Sequence, residues 1–330
     1  MARRALSPTC LALVQALEAS IPVALAHLGL HRCRIGLSGG ADSLALTAAA
    51  AWARDHRHGP LAQVEFTARI IDHSLQEGSR HAATMAAQAS EDLAVRADIV
   101  PVSVEVSGQG VEAAARHARY SALEQGEDAL ILLGHTMDDQ AETVLLGLAR
   151  GSGTRSLAGM PPQRGRLLRP FLHLRRSDTE QACCDWGLSW WEDPMNDSET
   201  FARCRVRKVM PILEEALGPG ITQSLARSAD LCRQDADFIE GESHKVGLDP
   251  SATTLSIRVL EELHPALRHR ILLQWLRYVG DDAVTKEHVL AVDSLITQWR
   301  GQKSICVPSG SVVRQSDELV LNSSDRDHLL

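Results

Sequence analysis

From residue 32 to residue 150 the apolar positions follow two alternating rhythms. Four short runs, "RIGL" at Arg34–Leu37, "VEFTARII" at Val64–Ile71, "DIVPVSVEV" at Asp98–Val106 and "ALILLG" at Ala129–Gly134, have the length and β-branched or leucine-rich content of buried strands. The stretches between and after them keep helical spacing: Asp42–Ala53, Gly78–Val95, Val111–Gln125 and His135–Arg150. Strands that alternate with helices of this length predict an α/β domain with a parallel sheet covered on both faces. Ligands of such sheets bind beyond the carboxyl ends of the strands.

Ahead of this block, Leu11, Val14, Leu17, Ile21 and Leu25 recur at helical spacing, interrupted by Gln15, Glu18 and His27. They predict an amphipathic helix packed on the first domain instead of a targeting segment. A membrane span needs about 20 apolar residues, and no stretch is read as one, so a cytoplasmic protein without a membrane partner is expected.

Behind Gly151 the rhythm breaks. Glycine, proline and arginine dominate as far as Pro170, which reads as a long functional loop. Amphipathic helices return at Ile221–Val246, Leu267–Gly280 and Lys286–Trp299, and "KSICVPSGSVVRQSDELVLN" reads as a β-hairpin around Pro308, Ser309 and Gly310. A boundary near Gly218 to Gly220 therefore divides residues 1–217 from a smaller, mostly helical domain at 218–330 with a terminal β-hairpin. A length of 330 residues agrees with two cores.

Composition is that of an ordinary globular chain, with 44% hydrophobic and 23% charged residues. The seven cysteines are odd in number, lack a CxxC pair, and suggest neither a disulfide framework nor a zinc site. A formal charge of −8 argues against nucleic acid until its distribution is considered. Arg150–Arg176 carries seven arginines and no acid, and "RCRVRK" follows at Arg203–Lys208. Either run alone reads as a solvated basic face. Together, close behind the chemical motifs, they point to an anionic macromolecule.

Those motifs sit at strand ends. "LSGGADS" turns from a strand into a helix, which puts main-chain N–H groups and the positive helix end at one point, an anion site. It has neither the GxxxxGK[ST] pattern of a Walker loop nor the GxGxxG of a dinucleotide fingerprint. In "GHTMDDQAET", Asp138, Asp139 and Glu142 crowd the start of a helix. Helix capping by Thr136 or Asp138 accounts for an acidic first turn. Asp139 and Glu142, three apart on one face, also suit an ammonium group or a metal ion.

"SGGADS" resembles the SGGxDS loop of the N-type ATP pyrophosphatase superfamily, matching at Ser38, Gly39, Gly40, Asp42 and Ser43. The run from Gly134 to Met160 resembles bacterial tRNA(Ile)-lysidine synthases, as do "IDHSLQEGS", "AARHARY", "LLRP" and "WEDPMND" followed by "RCRVRKVMPIL". The resemblance spans roughly residues 30 to 215, with its motifs in order. It implies a Rossmann-like pyrophosphatase domain that uses ATP and Mg2+ to adenylate the wobble cytidine of tRNA(Ile) with a CAU anticodon. Free L-lysine then displaces AMP.

By the same resemblance Ser38, Gly39, Gly40 and Ser43 cradle phosphates, Asp42 helps hold Mg2+, and His73, Gly134 and His135 line the nucleotide pocket. Asp139 and Glu142 are expected to take the lysine amine, with Arg116 and Arg207 near the cytidine or the lysine carboxylate. Arg205 is an alternative for the carboxylate. Arg150, Arg155, Arg169, Arg203 and Arg205 are expected to meet tRNA. "WEDPMND" is read as scaffold, and the assembly allows a homodimer. The longest relatives carry two modules behind the catalytic domain, and about 115 residues remain here, enough for one. A tRNA thiolase or amide-forming synthetase of the same superfamily would share the loop, although thiolases often carry a CxxC pair. A nucleotide sensor would need neither the carboxylate pair nor the arginine-rich run.

Overall fold

A computed structural model describes residues 6–55, 59–72, 79–102, 111–126, 128–151, 153–192, 202–280, 283–308 and 310–323. The chain divides into two compact units, Met1–Arg233 and Gln234–Leu330.

The first unit opens with helix α1 (Pro8–Leu28), started by Ser7, whose side chain accepts from Cys10 N, and ended by Gly29 at φ +65°. Five segments then alternate: β1 (Arg32–Gly36), α2 (Ala41–Asp55), β2 (Glu65–Asp72), α3 (Ser79–Asp92) and β3 (Arg96–Pro101). They are followed by α4 (Val111–Glu124), β4 (Leu130–Leu132) and α5 (Met137–Ala149). The expected strand Asp98–Val106 is described only to residue 102.

The arginine-rich run is more ordered than a loop. It holds a short helix α6 (Thr154–Leu157) and strands β5 (Gln163–Arg164) and β6 (Leu167–Leu168). β6 pairs with β4 in parallel, β5 with β6 antiparallel, and the sheet order is β3-β2-β1-β4-β6-β5. Glycine and proline content hid two strands of two residues each, too short to show a period. Helices α7 (Arg176–Trp186), α8 (Ala202–Leu217) and α9 (Ile221–Lys245) follow.

Alternation along β4 shows how the sheet is buried. Leu130 and Leu132 enter the main core with α1, α2 and α7, while Ile131 and Leu133 join Leu123 of α4 on the other face. One helix, α1, has the length and apolar composition of a membrane span, contrary to the sequence reading. Cys10, Leu13, Val14, Leu17, Ile21, Ala24 and Leu25 of this helix are buried in the core.

The first unit ends within α9, beyond the expected boundary at 217. Arg233 there donates to Ala158 O and Met160 O at 2.6 and 3.0 Å. Gly218 and Gly220 take positive φ, and the turn they make joins α8 to α9.

The second unit contains β7 (Thr254–Ser256), α10 (Ile257–Glu261), α11 (Pro265–Gly280), α12 (Lys286–Thr297), β8 (Ile305–Val307), β9 (Gly310–Gln315) and β10 (Glu318–Ser323). Its core gathers Trp275, Leu272, Val292, Leu295, Val312 and Leu319. The expected hairpin β8–β9 is present, and it belongs to a four-stranded antiparallel sheet ordered β7-β10-β9-β8.

Candidate active site

Strand order reverses between β1 and β4, because β1 has β2 on one side and β4 on the other. A crevice opens at such a switch point. Both chemical motifs leave these two strands, so the topology places Ser38–Ser43 beside His135–Glu142.

The first loop is held by its own serines. Ser38 N donates to Ser43 Oγ at 3.1 Å, the two hydroxyls lie 3.1 Å apart, and Ser43 Oγ donates to Gly40 O at 3.0 Å. Gly39 has φ +86°, a region L side chains rarely adopt. Trp191 N donates to Gly39 O at 3.1 Å, so the scaffold reading of this tryptophan pair gains a backbone bond to the loop. Asp193, Pro194 and Asn196 of the same motif lie outside the described residues, as does His73. Gly134 is required by close approach: a Cβ there would stand 2.8 Å from Asp42 O.

Asp139 has two duties. Its Oδ2 accepts from Thr136 N at 2.9 Å and Thr136 Oγ1 at 3.1 Å, which caps α5, and its Oδ1 accepts from Arg176 Nη2 at 2.9 Å. Capping and site chemistry are thus combined in one carboxylate. Asp138 faces elsewhere, accepting from Arg175 at 3.0 Å and from the backbone of Arg176 at 2.8 Å. Glu142, 1% exposed, is gripped by Arg176 at 3.4 Å, Arg203 at 3.2 Å and Arg207 at 2.9 Å. Arg176 also reaches Asp42 at 3.4 Å, and Thr179 Oγ1 donates to the other Asp42 oxygen.

Burial raises the Asp42 carboxyl from 3.8 to about 6, against the pull of Arg176. Burial also pushes on Asp139, yet the Arg176 guanidinium prevails and holds it below the ordinary carboxylate range. Burial lowers His135 to about 3, so its ring is neutral at pH 7, and no described group bonds its buried Nδ1.

The arginines divide into three groups. Arg203 and Arg207, expected near tRNA and substrate, wall the carboxylate pair; Arg203 also donates to Thr143 at 2.9 Å. Arg169, expected to meet tRNA, is 4% exposed and donates to Pro161 O at 2.9 Å. Arg116 is exposed, bonds Tyr120 Oη at 3.2 Å and lies 5.0 Å from that ring's centre. Arg150, Arg155 and Arg205 remain exposed.

Two parts escaped the sequence reading. Arg176 stood unremarked in a basic run, although two arginines at a helix start oppose the helix dipole and signal acidic partners elsewhere. The other is the side-chain amide of Gln140, which clasps the backbone of Met160 at 2.7 and 3.0 Å. Gly159, at φ +60°, leaves room for it, since a Cβ would sit 2.5 Å from Gln140 Oε1. The motif from Asp138 to Met160 is therefore partly a clasp between α5 and the loop behind it.

Below Glu142 a cavity of about 630 Å3 carries both signs of charge, lined by Glu142, Arg175, Arg176, Arg207 and Glu214 among others. Among the described residues no three His, Cys, Asp or Glu side chains form a metal cage.

A PP-loop domain family matches residues 13–213, and a TilS substrate binding domain matches residues 255–320. A tRNA(Ile)-lysidine synthase of Leifsonia xyli is 45% identical over 300 residues, covering 87% of this chain and 89% of that protein. The chain belongs to the tRNA(Ile)-lysidine synthase family. A second family member, from Rhodococcus erythropolis, is 41% identical over 329 residues, 97% of this chain and 98% of its own. Among solved structures, the U34-tRNA thiolase NcsA of Methanococcus maripaludis shares the fold, with TM-score 0.50 and 18% identity over 67% of this chain and 80% of that one. Use of ATP follows from the PP-loop family.

Proposed function

We propose that the protein converts the wobble cytidine of tRNA(Ile) with a CAU anticodon to lysidine. The family relationship over nearly the whole chain carries this reading. The cytidine O2 attacks the α-phosphorus of ATP and pyrophosphate leaves. The lysine ε-nitrogen then attacks C2, the C2–O2 bond breaks, AMP departs with O2, and the amine gives up its protons to a carboxylate or to water. The modified tRNA reads AUA.

Ser38, Gly39, Gly40 and Ser43, with the unpaired first-turn N–H groups of α2, receive the phosphates. Mg2+ typically takes one or two protein carboxylates and fills its shell with phosphate and water. One half-buried carboxylate, Asp42, fits that demand, and bound Mg2+ would screen the phosphate charge. His135 offers a neutral ring nitrogen to the nucleotide, as polar atoms buried without partners call for one. Asp139 and Glu142 receive the amine, and the mixed-charge cavity beside Glu142 suits a zwitterionic amino acid.

Arg150, Arg155 and Arg205 are the exposed candidates for tRNA phosphates. On this reading the protein works in the cytoplasm, where ATP, lysine and tRNA meet. The test is transfer of labelled lysine to tRNA(Ile) bearing CAU, with tRNA(Met) of the same anticodon as control. Label in the first alone supports the reading. ATP cleavage to AMP without label would leave the superfamily chemistry and remove the substrate.

A further inference from the structure

We propose that Arg176 is a positioning residue of the amine-transfer step, a guanidinium strut that sets how Asp139 and Glu142 present themselves to the incoming amine. This rests on the lysine-ligase reading above.

The strut is anchored at both ends. Its guanidinium meets Asp139 at 2.9 Å, Glu142 at 3.4 Å and Asp42 at 3.4 Å, so three acids from two helices converge on one cation. Its backbone N donates to Asp138 at 2.8 Å, and the Arg175 guanidinium beside it holds the same Asp138. One turn on, the Thr179 hydroxyl contacts Arg176 O at 2.7 Å and reaches Asp42. The N-terminus of α7 is thereby docked on both motif-bearing helices, and the side chain starts from a fixed point.

Charge requires such a part. Asp139 and Glu142 are 7% and 1% exposed, and buried carboxylates so close take up protons or repel unless cations intervene. Arg203 and Arg207 approach Glu142 from α8, but the pair with Asp139 at 2.9 Å belongs to Arg176, whereas Arg207 is 4.0 Å away. Arg176 alone joins the amine-side carboxylates to Asp42 among these ion pairs. A planar guanidinium spreads its donors over three nitrogens in a fixed fork, and here Nε, Nη1 and Nη2 each face a different carboxylate.

The experiment compares the full chain with Arg176→Ala and Arg176→Lys, measuring initial rates of lysine transfer to tRNA(Ile) while lysine and ATP are varied in turn. Charged hydrogen bonds of this kind lead us to expect a rise of about 10- to 100-fold in lysine KM for Arg176→Ala, larger than its change in ATP KM or kcat. Arg176→Lys should fall between. Millimolar guanidinium should lower the lysine KM of Arg176→Ala toward the parent value, while sodium chloride of equal ionic strength should not. An unchanged lysine KM overturns the proposal, as does a parallel loss in every parameter without guanidinium rescue. If Arg176→Ala does not fold, the Lys variant reads the same split. Failure of the parent chain itself to transfer lysine would instead remove the function reading.

Discussion

Asp139 shows how much one side chain holds at this site. Replacing it by Asn keeps an oxygen for the α5 cap but removes the charge that faces Arg176. Asp139→Asn is expected to lose lysine transfer by more than about 100-fold, to keep most ATP binding and to cost roughly 1–2 kcal/mol in stability. Denaturant titration and a nucleotide-binding assay check the two halves of that statement. The pH response follows from two neighbours with opposite signs. His135 titrates at about 3 in the fold against an ordinary 6.5, so its contribution is present above 6.5 and is lost as pH falls. Asp42 titrates at about 6 against 3.8, so its contribution is present below 3.8 and is lost as pH rises through 6. Where both groups titrate, the two slopes oppose each other. His135→Gln should unmask a stability that rises as pH falls from 6 to 4, and Asp42→Asn the reverse. Unfolding free energies of the three proteins at pH 4, 5 and 6 test both signs.

At the scale of elements, the site depends on how closely β4 approaches α2. Gly134→Ala would push a methyl group into the Asp42 carbonyl, against backbone with little freedom to yield. A loss of about 1–3 kcal/mol is expected, with weaker nucleotide binding because the loop at Ser38–Ser43 moves with α2. Thermal unfolding with and without ATP reads both effects. The elements α1 to α5 were legible because each is long enough to show its period. The pieces α6, β5 and β6 were not, since two to four residues carry no period and β4, the parallel partner of β6, is remote in sequence. The opposed charges at the start of α7 were visible in the sequence, but their reason lay in α2 and α5.

On the scale of the whole molecule, each compact unit has a core of its own. Trp275 is fully buried in the second, its indole donating to Ala252 O at 2.8 Å. Trp275→Ala should destabilise that unit by about 3–5 kcal/mol while leaving ATP binding by the first nearly unchanged. Hydrogen exchange mapped along the chain would show faster exchange confined to residues behind Arg233. Uniform acceleration would mean that the two units unfold together.

The sequence by itself determined the alternating strands and helices, the glycine loop between β1 and α2, the adjacent carboxylates of α5 and the family, because each is written in local spacing or in an ordered run of motifs. Only tertiary structure decided which charges meet. Arg176 and Asp139 are 37 positions apart and Arg207 and Glu142 65, and no local period links them. The same folding buried Arg169 against the Pro161 carbonyl and left Arg150, Arg155 and Arg205 exposed. An arginine's role depends on whether burial supplies it with an acid, a carbonyl or water, and that is settled only when distant segments pack.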